Sequence, residues 1–171
     1  MLSSDETNAY VPLLLLYEKQ IKLFDFLISN KKKYASWIKC VFNDYCKEYL
    51  PDLYAKLKHL GIAACISLSW FLTLFVCVMP FESALYIMDI FFFDGIKVLF
   101  QLALTILNEN RQHLLECQDD GDAIMILTTY LDQFNNHKYE NNEEKKIIYL
   151  IKKSYTNYNG VNVQNASSSF I

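Results

Sequence analysis

The chain is poor in the residues that build most catalytic and binding motifs. Its 171 residues include four glycines, three prolines and a single arginine, Arg111. The glycines are scattered, so no Gly-rich phosphate cradle can form, and no Gly-x-Ser-x-Gly nucleophile elbow occurs. The three histidines, His59, His113 and His137, include no i, i+4 pair, and none lies near a cysteine at metal-ligand spacing. They read as surface or capping residues. Cysteines number five, an odd count without a Cys-x-x-Cys pair. That pattern excludes a disulfide framework or a zinc ribbon and suits reduced thiols in a cytosolic protein. The net charge of −3 argues against a nucleic-acid surface. No signal peptide is recognisable, because Asp5 and Glu6 stand where a positive region would precede Leu13–Leu16. Asn165-Ala166-Ser167 matches a glycosylation acceptor, which is idle in a cytosolic chain.

What the chain has in abundance is apolar surface. It is 53% hydrophobic and 20% charged, enough to bury a core. The stretch Gly61–Phe81 holds no charged residue. Two readings fit it: a single membrane span through Gly61–Met79, or a central helix covered on every side by neighbours. Pro80, the hydroxyls of Ser67, Ser69 and Thr73, and flanks without a Lys/Arg cluster favour the second.

The rest of the chain reads as helix throughout. Leu13, Leu16, Ile21, Leu23, Phe24, Phe26 and Leu27 predict a helix over Val11–Ser29, and Asn30-Lys31-Lys32-Lys33 its end and a loop. Tyr34, Trp37, Ile38, Val41, Phe42, Tyr45 and Tyr49 give the cleanest amphipathic pattern. Pro51 starts a short helix with Leu53, Leu57 and Leu60 on its apolar side, and Gly61 closes it. Ser67 is a candidate cap for the apolar helix, which is expected to end before Pro80. A further helix is expected from Pro80 to Phe93 with Leu85, Met88, Phe92 and Phe93 facing inward, broken by Asp94-Gly95. A long helix follows to Glu116, then a turn over Gln118–Gly121 and a helix from Asp122 to Gln133. Asn135–Asn142 reads as linker, Glu143–Tyr155 as a last amphipathic helix and Gly160–Ile171 as a disordered tail. The fold class expected is all-α, helix on helix.

Asp119-Asp120-Gly121-Asp122 hints at a calcium loop. With Gly121 at position six, Leu127 falls at position twelve, where a bidentate carboxylate is required, so a capped turn is the better reading. Asp89 is the one acid between Phe81 and Phe93 apart from Glu82. It is expected as a structural acceptor for a helix terminus or for Arg111.

One ordered set of blocks goes further. Trp70-Phe71-Leu72-Thr73-Leu74-Phe75, Met79-Pro80-Phe81-Glu82-Ser83-Ala84, Asp89 and Asp94-Gly95-Ile96-Lys97-Val98-Leu99-Phe100 resemble the second half of a TBC domain, the all-helical domain of Rab GTPase-activating proteins. The wording Ser67–Phe75 followed by Met79–Ala84 is similar to the branch that also carries GRAM domains. The resemblance runs from Tyr45 to Gln133. It implies three parts: 1–40, a poorly matched helical segment; 41–134, the second half of the domain; and 135–171, linker, short helix and tail. It implies Trp70, Phe71, Leu74, Phe75, Pro80, Asp89 and Gly95 as the structural core, a Rab-type small GTPase as partner, and a cytoplasmic protein peripheral on endomembranes. No cofactor and no metal are implied. TBC domains act through an arginine and a glutamine finger, carried by Ile-x-x-Asp-x-x-Arg and Tyr-x-Gln blocks. Neither block occurs here, so no catalytic residue can be assigned. The expectation is a partial, inactive Rab GTPase-activating protein, a regulator rather than an enzyme. The alternatives are the single-span membrane protein and a catalytically dead Rab-binding adaptor.

Overall fold

The computed structural model describes residues 31–134 and 146–163. The predicted helix Val11–Ser29 and the Asn135–Asn142 linker lie outside them. Two compact units divide the chain, Met1–Tyr34 and Ala35–Ile171. Among the described residues there are eight helices and no strand: α1 Lys31–Tyr49, α2 Pro51–Leu60, α3 Ala63–Leu72, α4 Phe81–Asp94, α5 Lys97–Glu109, α6 Arg111–Glu116, α7 Asp120–Asp132 and α8 Lys146–Asn157. Apart from the first turn of α1, all belong to the second unit.

The first turn of α1 contains Lys31, Lys32 and Lys33, so the lysine trio opens a helix instead of ending one. Pro51 is the first residue of α2, where its missing N–H costs nothing. Gly61 ends α2 in the left-handed region at φ 72°, its N–H donating to the Lys58 carbonyl.

The uncharged run does not form one long helix. α3 stops at Leu72, and residues 73–79 form a series of turns before Pro80. Leu74 and Phe75 both have positive φ, 50° and 65°. The reversal carries Phe75 back beneath Trp70, with ring centroids 5.4 Å apart. Trp70, Phe71, Leu74 and Phe75 are all buried. Ser67 is no cap: it lies inside α3 and donates to the Ala64 carbonyl at 2.9 Å. No described helix is long and apolar enough to cross a membrane, which removes the single-span reading of Gly61–Met79.

Pro80 precedes α4 in an extended conformation, φ −53° and ψ 136°. The buried face of α4 is Ser83, Ala84, Ile87 and Phe91. Leu85 and Phe93, expected to face inward, are exposed, and Met88 and Phe92 are half-buried. Nearly every residue of the segment is apolar, so hydrophobic periodicity could not fix its rotation. Gly95 ends α4 at φ 76°, ψ −164°, its N–H donating to the Phe91 carbonyl at 2.8 Å.

α5 is the central element. Every residue from Val98 to Leu107 is buried, including Gln101 and Thr105. Phe100 gathers the aromatic core, with centroids 4.6 Å from Phe71, 5.6 Å from Tyr45 and 6.1 Å from Trp37. One side of α5 packs on α4 and another on α8. The expected continuous helix to Glu116 is split at Asn110. There the buried side-chain amide donates to the Ile106 carbonyl at 2.8 Å, competing with the backbone ladder.

α8 buries Ile147, Leu150, Ile151 and Ser154. Of the region read as a disordered tail, Gly160–Ile171, Val161 is buried and its N–H donates to the Tyr158 carbonyl at 3.2 Å. Tyr158, just before that region, is buried too, and its carbonyl also accepts from Gln101 Nε2 at 2.7 Å. Residues 164–171 lie outside the described ones.

Candidate functional site

Arg111 begins α6, and Asp52 lies in the first turn of α2. Both guanidinium nitrogens in use, Nε at 2.9 Å and Nη2 at 2.7 Å, donate to the same carboxylate oxygen, Asp52 Oδ2. The pair is half exposed, 46% and 40% for the two side chains. The guanidinium holds the Asp52 carboxyl below its usual range. Further along α2, Lys56 Nζ donates to the Cys117 carbonyl at 2.7 Å, at the end of α6. Two polar stitches therefore fix α6 against α2.

Beside Arg111 is an open depression of about 510 Å³ lined by Asn108, Glu109, Arg111, Gln112, Leu115 and Glu116. Its charges are already engaged. Glu109 pairs with Lys153 of α8 at 2.5 Å, and Glu116 accepts from the Gln112 amide at 3.2 Å. No serine, cysteine or histidine lines it, so it offers neither a nucleophile nor a general base of ordinary pKa near neutrality. What it can do is pair charges at a surface.

Among the described residues no three His, Cys, Asp or Glu side chains are placed to hold a metal ion. In the acidic turn the carboxylates point at backbone donors instead. Asp119 Oδ1 accepts from the Asp122 N–H at 2.9 Å, the cap of α7, and Asp120 Oδ1 accepts from the Gly121 N–H.

Of the residues the resemblance grouped as core, Trp70, Phe71, Leu74 and Phe75 are brought together under α3, while Pro80 and Gly95 flank α4 and are half-buried. Asp89 is different. It lies on the exposed side of α4, opposite Ile87 and Phe91, and Arg111 has Asp52 as its partner. A carboxylate on this helix avoids desolvation simply by facing water. The Asp52–Arg111 pair spans 59 positions. No local pattern marks Asp52, beyond its being an acid in the first turn of a helix.

The profile of the Rab-GTPase-TBC domain matches residues 1–115. The match therefore begins well before Tyr45 and stops short of Gln133, the bounds of the resemblance carried by the sequence blocks. A candidate GTPase-activating protein of Emericella nidulans is 31% identical over 153 residues, covering 82% of this chain and 14% of its own length. A TBC domain-containing protein of Schizosaccharomyces pombe is 35% identical over 96 residues, 56% of this chain and 12% of that protein. The Rab GTPase-activating protein tbc-11 of Caenorhabditis elegans is 36% identical over 76 residues, 44% and 8% of the two chains. The chain thus spans less than a sixth of each of these relatives. With an all-helical fold and a matched profile over two thirds of its length, the chain belongs to the Rab-GTPase-TBC domain family.

Proposed function

We propose that these residues form part of a Rab GTPase-activating protein, supplying helical scaffold and docking surface toward a Rab-type small GTPase, and that they do not stimulate GTP hydrolysis by themselves. The blocks Ser67–Phe75 and Met79–Ala84 favour the GRAM-carrying branch of the family. On this reading the protein is a regulator, cytoplasmic and peripheral on endomembranes.

The observation that carries the reading is the position of Arg111. Activation in trans needs a cation placed against the γ-phosphate oxygens and a group that aligns the attacking water. An arginine finger is worth roughly 10³–10⁵ in rate. The sole arginine here is committed to Asp52 on the side of α6, outside any finger motif. Lysine brings charge without the fork geometry of a guanidinium. No tyrosine is followed two residues later by glutamine. A working activator would therefore draw both fingers from outside these 171 residues.

Single-turnover GTP hydrolysis across a panel of Rab proteins tests this, with the wild-type chain beside Arg111→Ala. The expected result is the intrinsic rate in every case. Stimulation abolished by Arg111→Ala would overturn the reading and make Arg111 a finger.

A further inference from the structure

We propose that the outward face of α4 is a docking surface for a basic amphipathic helix of a partner protein. The surface is defined by rotation. Phe81, Leu85, Asp89 and Phe93 recur every four residues and so form one stripe along the helix. It lies opposite the buried Ile87 and Phe91. Phe81 is 66% exposed, Leu85 42% and Phe93 76%, and Asp89 between them is exposed too. At 1.5 Å per residue the two phenylalanines stand about 18 Å apart along the axis, a little over three turns of anchoring surface. Two exposed aromatic rings and a leucine on one face of one helix are the kind of anchors that dominate helix-in-groove and helix-on-helix recognition.

Charge decides the occupant. Glu82 and Asp89 are seven positions apart, so both carboxylates fall on this same outward side. From Leu60 to Ile96 the chain contains no lysine, arginine or histidine. Among the described residues nothing pairs with Asp89. An apolar stripe with the exposed Asp89 carboxylate at its middle repels the anionic leaflet of a membrane, which attracts basic segments and not acidic ones. A second α4 would set carboxylate against carboxylate. A helix presenting apolar residues at i, i+4 and i+8 with lysine or arginine beside them satisfies both the rings and Asp89. The inference does not depend on GTP hydrolysis, since neither Arg111 nor its groove takes part.

The test uses the full 171-residue chain and two labelled synthetic helices of equal length. One carries leucine on one face flanked by lysine, the other leucine flanked by glutamate. Fluorescence anisotropy should show binding of the Leu/Lys helix alone. Phe93→Ser should weaken it by about thirtyfold, and Asp89→Asn by about tenfold. Asp89→Lys should move the preference toward the Leu/Glu helix, a reversal that general stickiness or lost folding would not produce. Phe93 and Asp89 are exposed, and unchanged circular dichroism confirms an intact fold. Equal binding of both helices, affinity indifferent to all three substitutions, or binding to phosphatidylserine vesicles in place of the Leu/Lys helix would each overturn the proposal.

Discussion

The Phe75 N–H donates to the Trp70 carbonyl at 2.8 Å, and the rings of the same two residues lie 5.4 Å apart. A hydrogen bond spanning five residues is a known way of closing a helix. It requires a left-handed residue just past the last turn, and an apolar contact across the closure commonly accompanies it. The left-handed position is Leu74 where glycine is the usual occupant, and Phe75 after it is left-handed as well. Two such residues cost about 1–2 kcal/mol each in backbone strain. The burial of Trp70, Phe71, Leu74 and Phe75, with Phe71 set against Phe42 of α1 and Phe100 of α5, offsets that cost, because each large apolar side chain contributes about 1.5–3 kcal/mol when buried.

Leu74 therefore separates strain from burial. Leu74→Ala loses buried methyl groups, worth about 2–3 kcal/mol, and keeps the strained backbone. Leu74→Gly loses similar burial but relieves about 1 kcal/mol of strain. The glycine variant should be the more stable of the two, the reverse of the order at an ordinary helical site. Urea midpoints of the two variants check this. An alanine variant at or above the glycine variant would mean that the turn is not left-handed in solution.

Gly95 and Gly61 differ in a way that asparagine can report. Gly61, at φ 72° and ψ 3°, is in the left-handed helical region that asparagine tolerates. Gly95, at φ 76° and ψ −164°, occupies a region open to glycine almost alone. A Cβ added at either position meets nothing within 4 Å, so crowding plays no part. Gly95→Asn and Gly95→Ala should both cost about 1–3 kcal/mol. Gly61→Asn should cost only a few tenths. Thermal melts compare the three, and equal losses at the two asparagines would contradict the backbone assignment.

These two turns also show where the sequence was informative. Gly61 announced its role because glycine encodes the conformation, and α1 because charged residues separate its apolar ones at helical spacing. The end of α3 was illegible for the opposite reason: tertiary burial of Trp70 and Phe75 forces left-handed angles onto residues that do not advertise them. Pro80 attracted the helix stop, yet the chain has left the helix by Thr73. The rotation of α4 was illegible because apolar residues on all sides carry no phase. Asn110 looked like one more position of a long helix until its burial made its amide compete for the Ile106 carbonyl. At the site, Arg111 stood out as the only arginine. Asp52 did not, since a pair 59 positions apart is a property of the fold.

Burial, not the ion pair, should govern the attachment of α8. Lys153 and Glu109 are 2.5 Å apart, but both remain about 30% exposed, and such pairs contribute about 0–1 kcal/mol. Leu150 is buried against the bundle and should cost about 2–5 kcal/mol when cut to alanine. Leu150→Ala should lower the urea midpoint several times more than Lys153→Ala, and the lysine effect should shrink in 1 M salt while the leucine effect persists. A larger loss at Lys153 would place the docking energy in electrostatics.

The thiols give the last expectation, and it carries a pH sign. Cys40, Cys65 and Cys77 are exposed, whereas Cys46 and Cys117 are buried. A thiol reagent at pH 8 should titrate three groups quickly and two only on unfolding. Burial pushes the Cys46 thiol from its ordinary 9.0 up to about 12. Burial raises the Tyr130 phenol as well. It also raises Tyr155, whose hydroxyl donates to Asp94, with the carboxylate adding to the effect. In each case the folded chain holds the proton more tightly than the unfolded chain, because the anion would lie in a poorly solvated place. Stability from these groups is complete below pH 9, the ordinary thiol value, and declines as pH rises toward 12, where Cys46 itself would ionise in the fold. Urea unfolding at pH 7, 9 and 10.5 should show little change over the first interval and a clear loss over the second. Cys46→Ala should flatten the part of the decline due to the thiol and leave the tyrosine part. A midpoint that rises between pH 9 and 10.5, or five thiols reacting at one rate at pH 8, would show that Cys46 is not enclosed between α1 and its neighbours.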